Sequence, residues 1–318
     1  MVGEQKMKKN LKKLSMLLAG TMMTVSLFAG CGSAKGTDTQ KSSKKDTFVI
    51  AYAPNEATEE SADAREGLAK DLEKELGVTV KEIQASDYNA IVEALRTGKA
   101  DAAYIGSLAI AYASERAGAI PVAMKAPDGD KSQAVYHSLL ITSSKNDEIN
   151  TIDDIKGKSI AFVDPESTSG NLFPTYDIIK AFPDDNLTSD DLHTNGKFFS
   201  ATSYSGKHQA GLQAVIKGDV DVVPISDQIL DSEFANGNAN KDDVKIIHTS
   251  DAIPAEGFVV GKDVDQSIRE QFQKFLINYD NAHYFEKVIK VPNARFVEAS
   301  IDDYKIVIDL NKTMNTGL

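Results

Sequence analysis

The sequence predicts an α/β protein, and three observations support that prediction. From Thr47 onward, short β-type runs alternate with helix-type patterns, which is typical of largely parallel sheets covered by helices on both faces. A chain of 318 residues is long enough for one large sheet or for two smaller α/β lobes. Two long β-rich segments, near 135–143 and 254–261, lie far apart in the chain, and we interpret them as crossings between two lobes.

The predicted elements follow from periodicity. Strand candidates are short runs rich in β-branched and aromatic residues, bounded by turn residues. They lie at 48–53, 78–85, 99–105, 120–126, 135–143, 158–163, 196–201, 219–225, 244–249 and 256–261. Helix-type patterns fill most of the intervals, at 61–76, 87–97, 107–118, 170–182, 207–217 and 227–235. After 262 the pattern is mainly helical, as expected for segments that pack back on the first lobe.

This order of elements predicts the division of the chain. Residues 47–139 and 253–318 form the first lobe, and residues 140–252 form a second lobe inserted between its two parts. No repeat of 20–50 residues occurs, which excludes a solenoid.

Residues 1–31 have the three parts of an export signal. Lysines from Lys6 to Lys13 form a basic start, an apolar stretch runs from Leu14 to Ala29, and small residues precede Cys31. The apolar stretch is shorter than the roughly 20 residues that span a bilayer, although a short membrane anchor is the alternative. Met7 is an alternative start to Met1, because MKKNLKK would itself supply the basic part.

The motif Phe-Ala-Gly-Cys at 28–31 resembles the lipobox of bacterial lipoproteins, in which the cysteine is acylated and becomes the new N-terminus. It departs from the usual motif at Phe28, where leucine is common. The resemblance implies lipidation at Cys31, and the polar segment 32–46 is predicted to be a flexible tether. We therefore expect a protein anchored by its N-terminal lipid to the outer face of the cytoplasmic membrane.

Composition excludes several classes of protein. The chain has 35 Lys+Arg against 47 Asp+Glu, a formal net charge of −12, which argues against nucleic acid as a partner. One cysteine excludes an intrachain disulfide and any multi-cysteine metal site, and the five histidines have no short metal-ligand spacing. We expect no metal and no other cofactor.

The most informative segment is KSIAFVDPESTSGNLFP at 158–174. A buried strand ends at Val163, and Ser167, Thr168 and Ser169 then open a helix together with Gly170. The first amides of a helix lack internal partners, so three hydroxyl groups and a glycine that lets a ligand approach would form an oxyanion receptor. Ordinary N-capping is the alternative, and it needs only one Ser or Thr.

Three other predicted helix starts carry polar aromatic side chains. Tyr88 follows the strand 78–85, Tyr104 ends the strand 99–105, and His208 opens the helix 207–217. Ligands of α/β sheets bind beyond the carboxyl ends of strands, where such turns gather. Taken singly, each of these residues is more often a packing or surface residue, but their shared placement favours a common site.

Six motifs together identify a family: Glu56 in the first strand–helix turn, SDY at 86–88, GKADAAYIG at 98–106, DPESTSG at 164–170, GKHQAGLQAVIKGDVDVV at 206–223 and IPAEGFVV at 253–260. Over about residues 47–280 the chain resembles the phosphonate/phosphite/phosphate-binding lipoproteins of ABC importers. The resemblance implies two Rossmann-like lobes joined by crossing strands, the type II periplasmic-binding-protein architecture. It also implies a small oxyanion as ligand, and an ABC permease with its ATPase as partners. We expect a monomer without enzymatic activity.

The resemblance also implies roles for single residues. Ser167, Thr168 and Ser169 would hold the phosphonyl oxygens, with Tyr88 and His208 donating from the other lobe and from the hinge side. No Arg occurs in these motifs and Lys207 is the only cation near them, so we predict an anion site built mainly of neutral donors.

Carboxylates would then select among ligands. Asp227 and Glu256 could each accept a P–OH hydrogen or face an amino group on the ligand, and capping of the helix 227–235 is the alternative for Asp227. Aminophosphonate-binding relatives often have an aromatic residue before the glycine of the Tyr104-Ile105-Gly106 motif and an aspartate where this chain has Glu256.

Three other functions are compatible with parts of the sequence. The same fold could bind a sulfonate, a sulfate or another small anion, or it could act as a ligand sensor. A serine hydrolase would use Ser169, His208 and Asp227 as a triad, but no Gly-x-Ser-x-Gly motif surrounds Ser169.

Overall fold

The computed structural model describes residues 45–315. The predicted export signal, Cys31 and all but the end of the predicted tether lie outside the described residues. The strands are β1 (Thr47–Tyr52), β2 (Thr79–Gln84), β3 (Ala102–Ile105), β4 (Ile120–Pro127), β5 (Val135–Tyr136), β6 (Ser138–Ser143), β7 (Ser159–Phe162), β8 (Ala201–Tyr204), β9 (Val223–Ser226), β10 (Val244–Thr249), β11 (Ile253–Pro254), β12 (Gly257–Val260) and β13 (Ala294–Glu298).

Helices cover these strands. They are α1 (Ala62–Leu76), α2 (Tyr88–Arg96), α3 (Ser107–Ala117), α4 (Phe173–Ala181), α5 (Ser189–His193), α6 (His208–Lys217), α7 (Asp227–Ala235), α8 (Gln266–Asn278), α9 (Ala282–Tyr284) and α10 (Lys305–Asn315). Each of the six helices predicted from periodicity is present, five of them with ends that differ by at most one residue. In the described part of the chain, no helix is long and apolar enough to cross a membrane.

A six-stranded sheet, which we call the large sheet, has the order β13-β4-β12-β3-β1-β2. Strand β1 is parallel to β2 and β3, whereas β12 is antiparallel to β3 and β4, so the sheet is mixed rather than parallel throughout. Alternate residues of β1 point to opposite faces: Ile50 packs in the core shared with α1 and α8, and Ala51 packs in the core shared with α2 and α3. The α/β fold class is confirmed.

The strands between 138 and 249 form two further sheets, which we call the small sheets. One has the order β10-β6-β9 and the other pairs β7 with β8, and a bridge between Ile160 and Val222 connects them. Their buried side chains form two cores. Phe162 and Phe199 pack with α4 on one side, and Val223 packs with α6 and α7 on the other.

Within the described residues the chain passes between the large and small sheets twice. The first passage is β5, between β4 and β6, and the second is β11, between β10 and β12. The two passages pair with each other in an antiparallel ribbon, with Tyr136 opposite Ile253 and Val135 opposite Pro254.

Two predicted segments need correction. The predicted strand 135–143 is two strands interrupted at His137, whose carbonyl accepts a hydrogen bond from the Asp227 amide (3.0 Å). The predicted strand 196–201 is wrong: Phe198 and Phe199 are buried by packing in an irregular turn, and the strand β8 begins at Ala201. After 262 the described chain is mainly helical, as predicted, and it also contributes β13, which pairs with β4 at one edge of the large sheet.

Candidate functional site

The hydroxyl-bearing segment lies between β7 and α4, as the sequence predicts. Ser167, Thr168 and Ser169 are only 2–3% exposed. Ser167 is the N-cap residue, and its Oγ accepts a hydrogen bond from the Gly170 amide at 3.0 Å. The helix opens with a π-type turn, Thr168–Leu172, before the regular α4, so this stretch combines capping with a buried cluster of hydroxyl groups.

The three hydroxyl groups have different partners. Thr168 Oγ1 accepts a hydrogen bond from the Leu108 amide at 2.9 Å, in the first turn of α3. Ser169 Oγ lies 3.5 Å from His208 Nε2 at the start of α6. Because the Ser167 and Thr168 oxygens act as acceptors in these bonds, their hydrogens remain available for an anion.

Asn55 joins Tyr88 to the start of α6. Its Nδ2 donates to the Tyr88 hydroxyl, and its Oδ1 accepts from the His208 amide at 3.1 Å. Asn55 follows β1 of the large sheet, whereas α6 packs on the small sheets. Two predicted site residues, Tyr88 and His208, are therefore brought together by one buried amide side chain.

The imidazole of His208 is buried and neutral at physiological pH. Burial lowers its pKa to about 4, although the charge of Glu256 and the Pro224 carbonyl act in the opposite direction. Burial also raises the pKa of Tyr88 well above its usual value, with the carboxyl groups of Glu56 and Asp164 adding to the effect. Both side chains therefore offer neutral hydrogen-bonding groups rather than charges.

Two of the predicted carboxyl groups lie close enough to influence each other. Burial first, and then the charge of Glu256, raise the pKa of Glu56 to about 8. Glu256 is paired with a buried cation: its Oε2 lies 2.5 Å from Lys125 Nζ. The prediction that Lys207 is the only nearby cation is therefore wrong, because Lys207 is exposed on the surface and Lys125 lies inside.

Tyr104 and Asp227 occupy the edges of this cluster. The Tyr104 ring packs on Phe258 in the core of the large sheet (5.1 Å between centroids), and its buried hydroxyl has no hydrogen-bond partner among the described residues. Asp227 is the first residue of α7 rather than its cap, which is Ser226, and Asp227 Oδ1 accepts from the Gln228 amide at 2.7 Å. Burial raises the pKa of the Asp227 carboxyl.

Gly170 has a different role from the one predicted. A Cβ atom at this position would lie 2.4 Å from Val163 Cβ, so glycine is required for packing rather than for the approach of a ligand. Gly106 is more open, since a Cβ there would lie 3.4 Å from Thr168 Oγ1 and 4.0 Å from Glu256 Cγ. Gly106 therefore lies between the hydroxyl segment and the carboxylate.

Sequence reasoning missed three residues of this cluster: Asn55, Lys125 and Tyr136. Tyr136 is buried in β5, and its hydroxyl interacts with the side chains of Ser169 and Thr168. The available signals were weak. Asn55 immediately precedes Glu56, and Lys125 is the one charged residue within the apolar strand run IPVAMKA.

The geometry does not form a hydrolase triad. Ser169 Oγ and His208 Nε2 are within reach of each other, but His208 Nδ1 makes no hydrogen bond to a carboxylate among the described residues. Asp227 directs one oxygen to the Gln228 amide instead. In the described part of the chain, no group of three or more His, Cys, Asp or Glu residues could hold a metal ion.

The chain belongs to the family described as ABC transporter, phosphonate, periplasmic substrate-binding protein, whose sequence model matches residues 50–304. The predicted family is thereby confirmed. Its members are substrate-binding components of transporters, and membership implies a location outside the cytoplasm.

Individual relatives extend this finding. The chain is 27% identical over 258 residues to the phosphate-import protein PhnD of Mycolicibacterium smegmatis, across 80% of this chain and 79% of that protein. It is 32% identical over 215 residues to the phosphonates-binding periplasmic protein of Escherichia coli, across 66% of this chain and 59% of that protein. The fold is similar to that of PhnD1 from Prochlorococcus marinus in complex with methylphosphonate, with a TM-score of 0.71, 21% identity, and 85% and 98% of the two chains covered.

Proposed function

We propose that this protein captures a small phosphorus oxyanion, a phosphonate, phosphite or phosphate, and delivers it to an ABC permease driven by its ATPase. The observation that carries the proposal is the buried hydroxyl segment of Ser167, Thr168 and Ser169. Its partners come from the start of α3 on the large sheet and from the start of α6 on the small sheets. The names of the relatives support phosphorus rather than sulfur as the central atom of the ligand.

The binding energy can come from hydrogen bonds to neutral groups. Hydrogen bonds to a charged partner contribute about 1.5–3 kcal/mol each. Four or five of them suffice for the roughly 8 kcal/mol of micromolar binding after the cost of ordering is subtracted. Ser167, Thr168, Ser169, Tyr88 and His208 are our proposed donors, and Tyr104, Glu56, Glu256 and Asp227 complete the proposed site.

We propose that the ligand closes two lobes around itself. Residues 47–139 and 253–318 would form one lobe and 140–252 the other, with the β5–β11 ribbon between them. Contacts of the closed form include the Thr168–Leu108 and Asn55–His208 hydrogen bonds and an ion pair of Arg116 Nη1 with Glu166 Oε1 at 2.7 Å. Such closure is a common response of two-lobed binding proteins.

We propose that the protein functions at the outer face of the cytoplasmic membrane. Residues 1–31 would direct export, acylated Cys31 would hold the lipid, and residues 32–46 would serve as the tether. The protein would act as a monomer and would catalyse no reaction. Cys31→Ala should move the protein from the membrane fraction to the soluble fraction when it is expressed in a lipoprotein-processing bacterium, and unchanged fractionation would contradict the anchor.

Titration calorimetry tests the ligand. The full chain in detergent is titrated with sulfate, phosphate, phosphite, methylphosphonate and 2-aminoethylphosphonate under one buffer condition. We expect saturable heat from at least one phosphorus oxyanion and none from sulfate. Heat from sulfate alone would reject the phosphorus assignment, and the absence of heat from every anion would reject the anion site.

A further inference from the structure

Lys125 is a buried lysine next to the proposed oxyanion site. It lies on β4, is only 4% exposed, and its backbone amide donates to the Glu256 carbonyl at 3.1 Å. Its Nζ lies 2.5 Å from Glu256 Oε2, an ion pair in which both side chains are largely shielded from water. A buried charge is costly unless it is paired, so the two residues depend on each other.

The charge of Lys125 acts on more than one carboxyl group. It lowers the pKa of Glu56 and that of Asp227, in both cases against the larger effect of burial. Lys125 therefore contacts Glu256 directly and attracts Glu56 and Asp227 more weakly. Lys290 lowers the pKa of Glu56 more than Lys125 does, and backbone hydrogen bonds at His137 and Gln228 lower that of Asp227 more.

The ion pair adjoins the hydroxyl segment. The Lys125 ammonium lies 5.8 Å from the centre of the Tyr136 ring, and the hydroxyl of that ring interacts with Thr168 and Ser169. On the other side, a Cβ at Gly106 would lie near both Thr168 Oγ1 and Glu256 Cγ. A substituent on a phosphorus atom held by the hydroxyl groups would therefore meet the surroundings of this ion pair.

We propose that Lys125 determines ligand specificity: its ammonium group neutralises Glu256 from within the protein, so that the site accepts phosphorus oxyanions with uncharged substituents and rejects those that carry an ammonium group. This inference rests on the proposed function. A second ammonium group in the same confined place would be repelled by Lys125 and would find its best counter-charge already occupied. An ethyl or methyl group meets neither cost.

A matched pair of ligands tests the inference. Ethylphosphonate and 2-aminoethylphosphonate differ by the amino group and have the same carbon chain. At pH 7.5 we expect the full-length wild-type protein to bind ethylphosphonate at least tenfold more tightly than 2-aminoethylphosphonate in titration calorimetry. Equal or tighter binding of the amino compound by the wild type would overturn the inference while leaving the proposed function intact, whereas no binding of any phosphorus oxyanion would remove the proposed function itself.

Variants then assign the effect to the lysine. Lys125→Met removes the charge and keeps the length of the side chain, so the preference for ethylphosphonate should shrink at least tenfold or reverse. The double variant Lys125→Met, Glu256→Gln leaves no unpaired charge, so it keeps the test valid if the single variant fails to fold. It should bind the two ligands with similar affinity. Lys207→Met, on the exposed lysine, should keep the wild-type ratio. A wild-type ratio in both Lys125 variants would show that another group discriminates.

Discussion

The three neighbouring hydroxyl side chains of the hydroxyl segment have similar chemistry but different hydrogen-bond partners in the structure. Ser167 caps its own helix, Thr168 contacts the backbone of α3, and Ser169 faces the imidazole of His208. Thr168 connects the segment to α3, a helix of the large sheet, through the Leu108 amide. Removal of its hydroxyl should therefore affect ligand binding more specifically than removal of the Ser167 hydroxyl, which also stabilises a helix end.

Thr168→Val should weaken binding of the preferred oxyanion roughly 10- to 100-fold, because one hydrogen bond to a charged group is lost. Thr142→Val is a matched control: Thr142 is equally buried, on β6, and its hydroxyl makes no hydrogen bond among the described residues. The control should keep wild-type affinity. Titration calorimetry on both variants gives the comparison, and equal affinities for the two would count against a role for Thr168.

Glu56 predicts a pH dependence of stability. Its carboxyl pKa is raised from 4.5 to about 8 in the folded protein by burial and by Glu256. Between pH 4.5 and about pH 8, Glu56 is ionised in the unfolded chain but protonated in the folded protein. The free energy of unfolding therefore falls as pH rises through this range, by a few kcal/mol at most. Below pH 4.5, Glu56 is protonated in both states and does not change the free energy of unfolding.

Glu56→Gln should therefore raise the melting temperature near pH 8 and change it little near pH 4.5. Scanning calorimetry of the wild type and the variant across this range measures the difference between their melting temperatures. A difference that stays constant with pH would show that the Glu56 carboxyl does not titrate within this window in the folded state.

Residues at strand–helix turns were easier to predict from the sequence than residues within strands, although Asn55 was missed in a turn and Tyr104 was predicted within β3. Tyr88, His208 and the hydroxyl segment stand at strand–helix turns, where polar residues signal a ligand. Lys125 and Tyr136 lie in strands, where a polar or amphipathic residue is equally compatible with a solvent-exposed face. Their burial results from the partner elements that pack over them, and no local pattern contains that information.

At the scale of elements, the start of α4 is shaped by close packing. The π-type turn Thr168–Leu172 brings Gly170 against Val163, at the end of β7, and the Gly170 carbonyl accepts from the Val163 amide at 2.9 Å. π-type turns often occur at functional sites, where the extra residue redirects side chains. The turn holds the three hydroxyl groups at the end of the strand.

Gly170→Ala should destabilise the fold by about 1–3 kcal/mol, because the added methyl group has no space. Gly67→Ala provides the opposite case: a Cβ at Gly67, within α1, meets nothing within 4 Å, and alanine there should stabilise by about 0.5–1 kcal/mol. Denaturant unfolding of both variants measures these values. Destabilisation by Gly67→Ala, or tolerance of Gly170→Ala, would contradict the packing account.

Element prediction succeeded where periodicity and burial agree. The predicted helices are amphipathic and lie on sheets, so the apolar face predicted from the sequence is the face that packs on a sheet in the structure. The aromatic pair at 198–199 has strand-like composition but packs as a turn, and β13 was missed because it pairs with β4, which is distant in sequence. Strand pairing over such distances is not encoded in a local window.

At the scale of the whole molecule, Asn55 is one of the few side chains that connects the two sets of sheets. It satisfies both the Tyr88 hydroxyl and the first amide of α6, and no other described side chain bonds to both. Its loss would remove one hydrogen bond from each of these two buried polar groups.

Asn55→Ala should weaken oxyanion binding about tenfold or more, since a buried amide left without its acceptor costs about 1–3 kcal/mol. Asn195→Ala is the control and should leave affinity unchanged, because the Asn195 Oδ1 accepts from the Thr202 amide of β8 at 2.6 Å, away from the proposed site. Titration calorimetry measures the affinities, and small-angle scattering with and without ligand reports compaction. Wild-type affinity in Asn55→Ala would show that closure does not need this bridge.

The β5–β11 ribbon would restrict the proposed movement of the two lobes. Two chains held side by side by backbone hydrogen bonds bend readily across their width, but twisting or sliding would shear the Tyr136–Ile253 and Val135–Pro254 pairs. We therefore expect the proposed closure to be a rotation across this ribbon rather than a sliding movement along it. After each opening, the proposed closure would bring the hydroxyl segment back to the same position relative to the start of α3. The geometry of the ribbon would therefore determine how accurately the ligand is held.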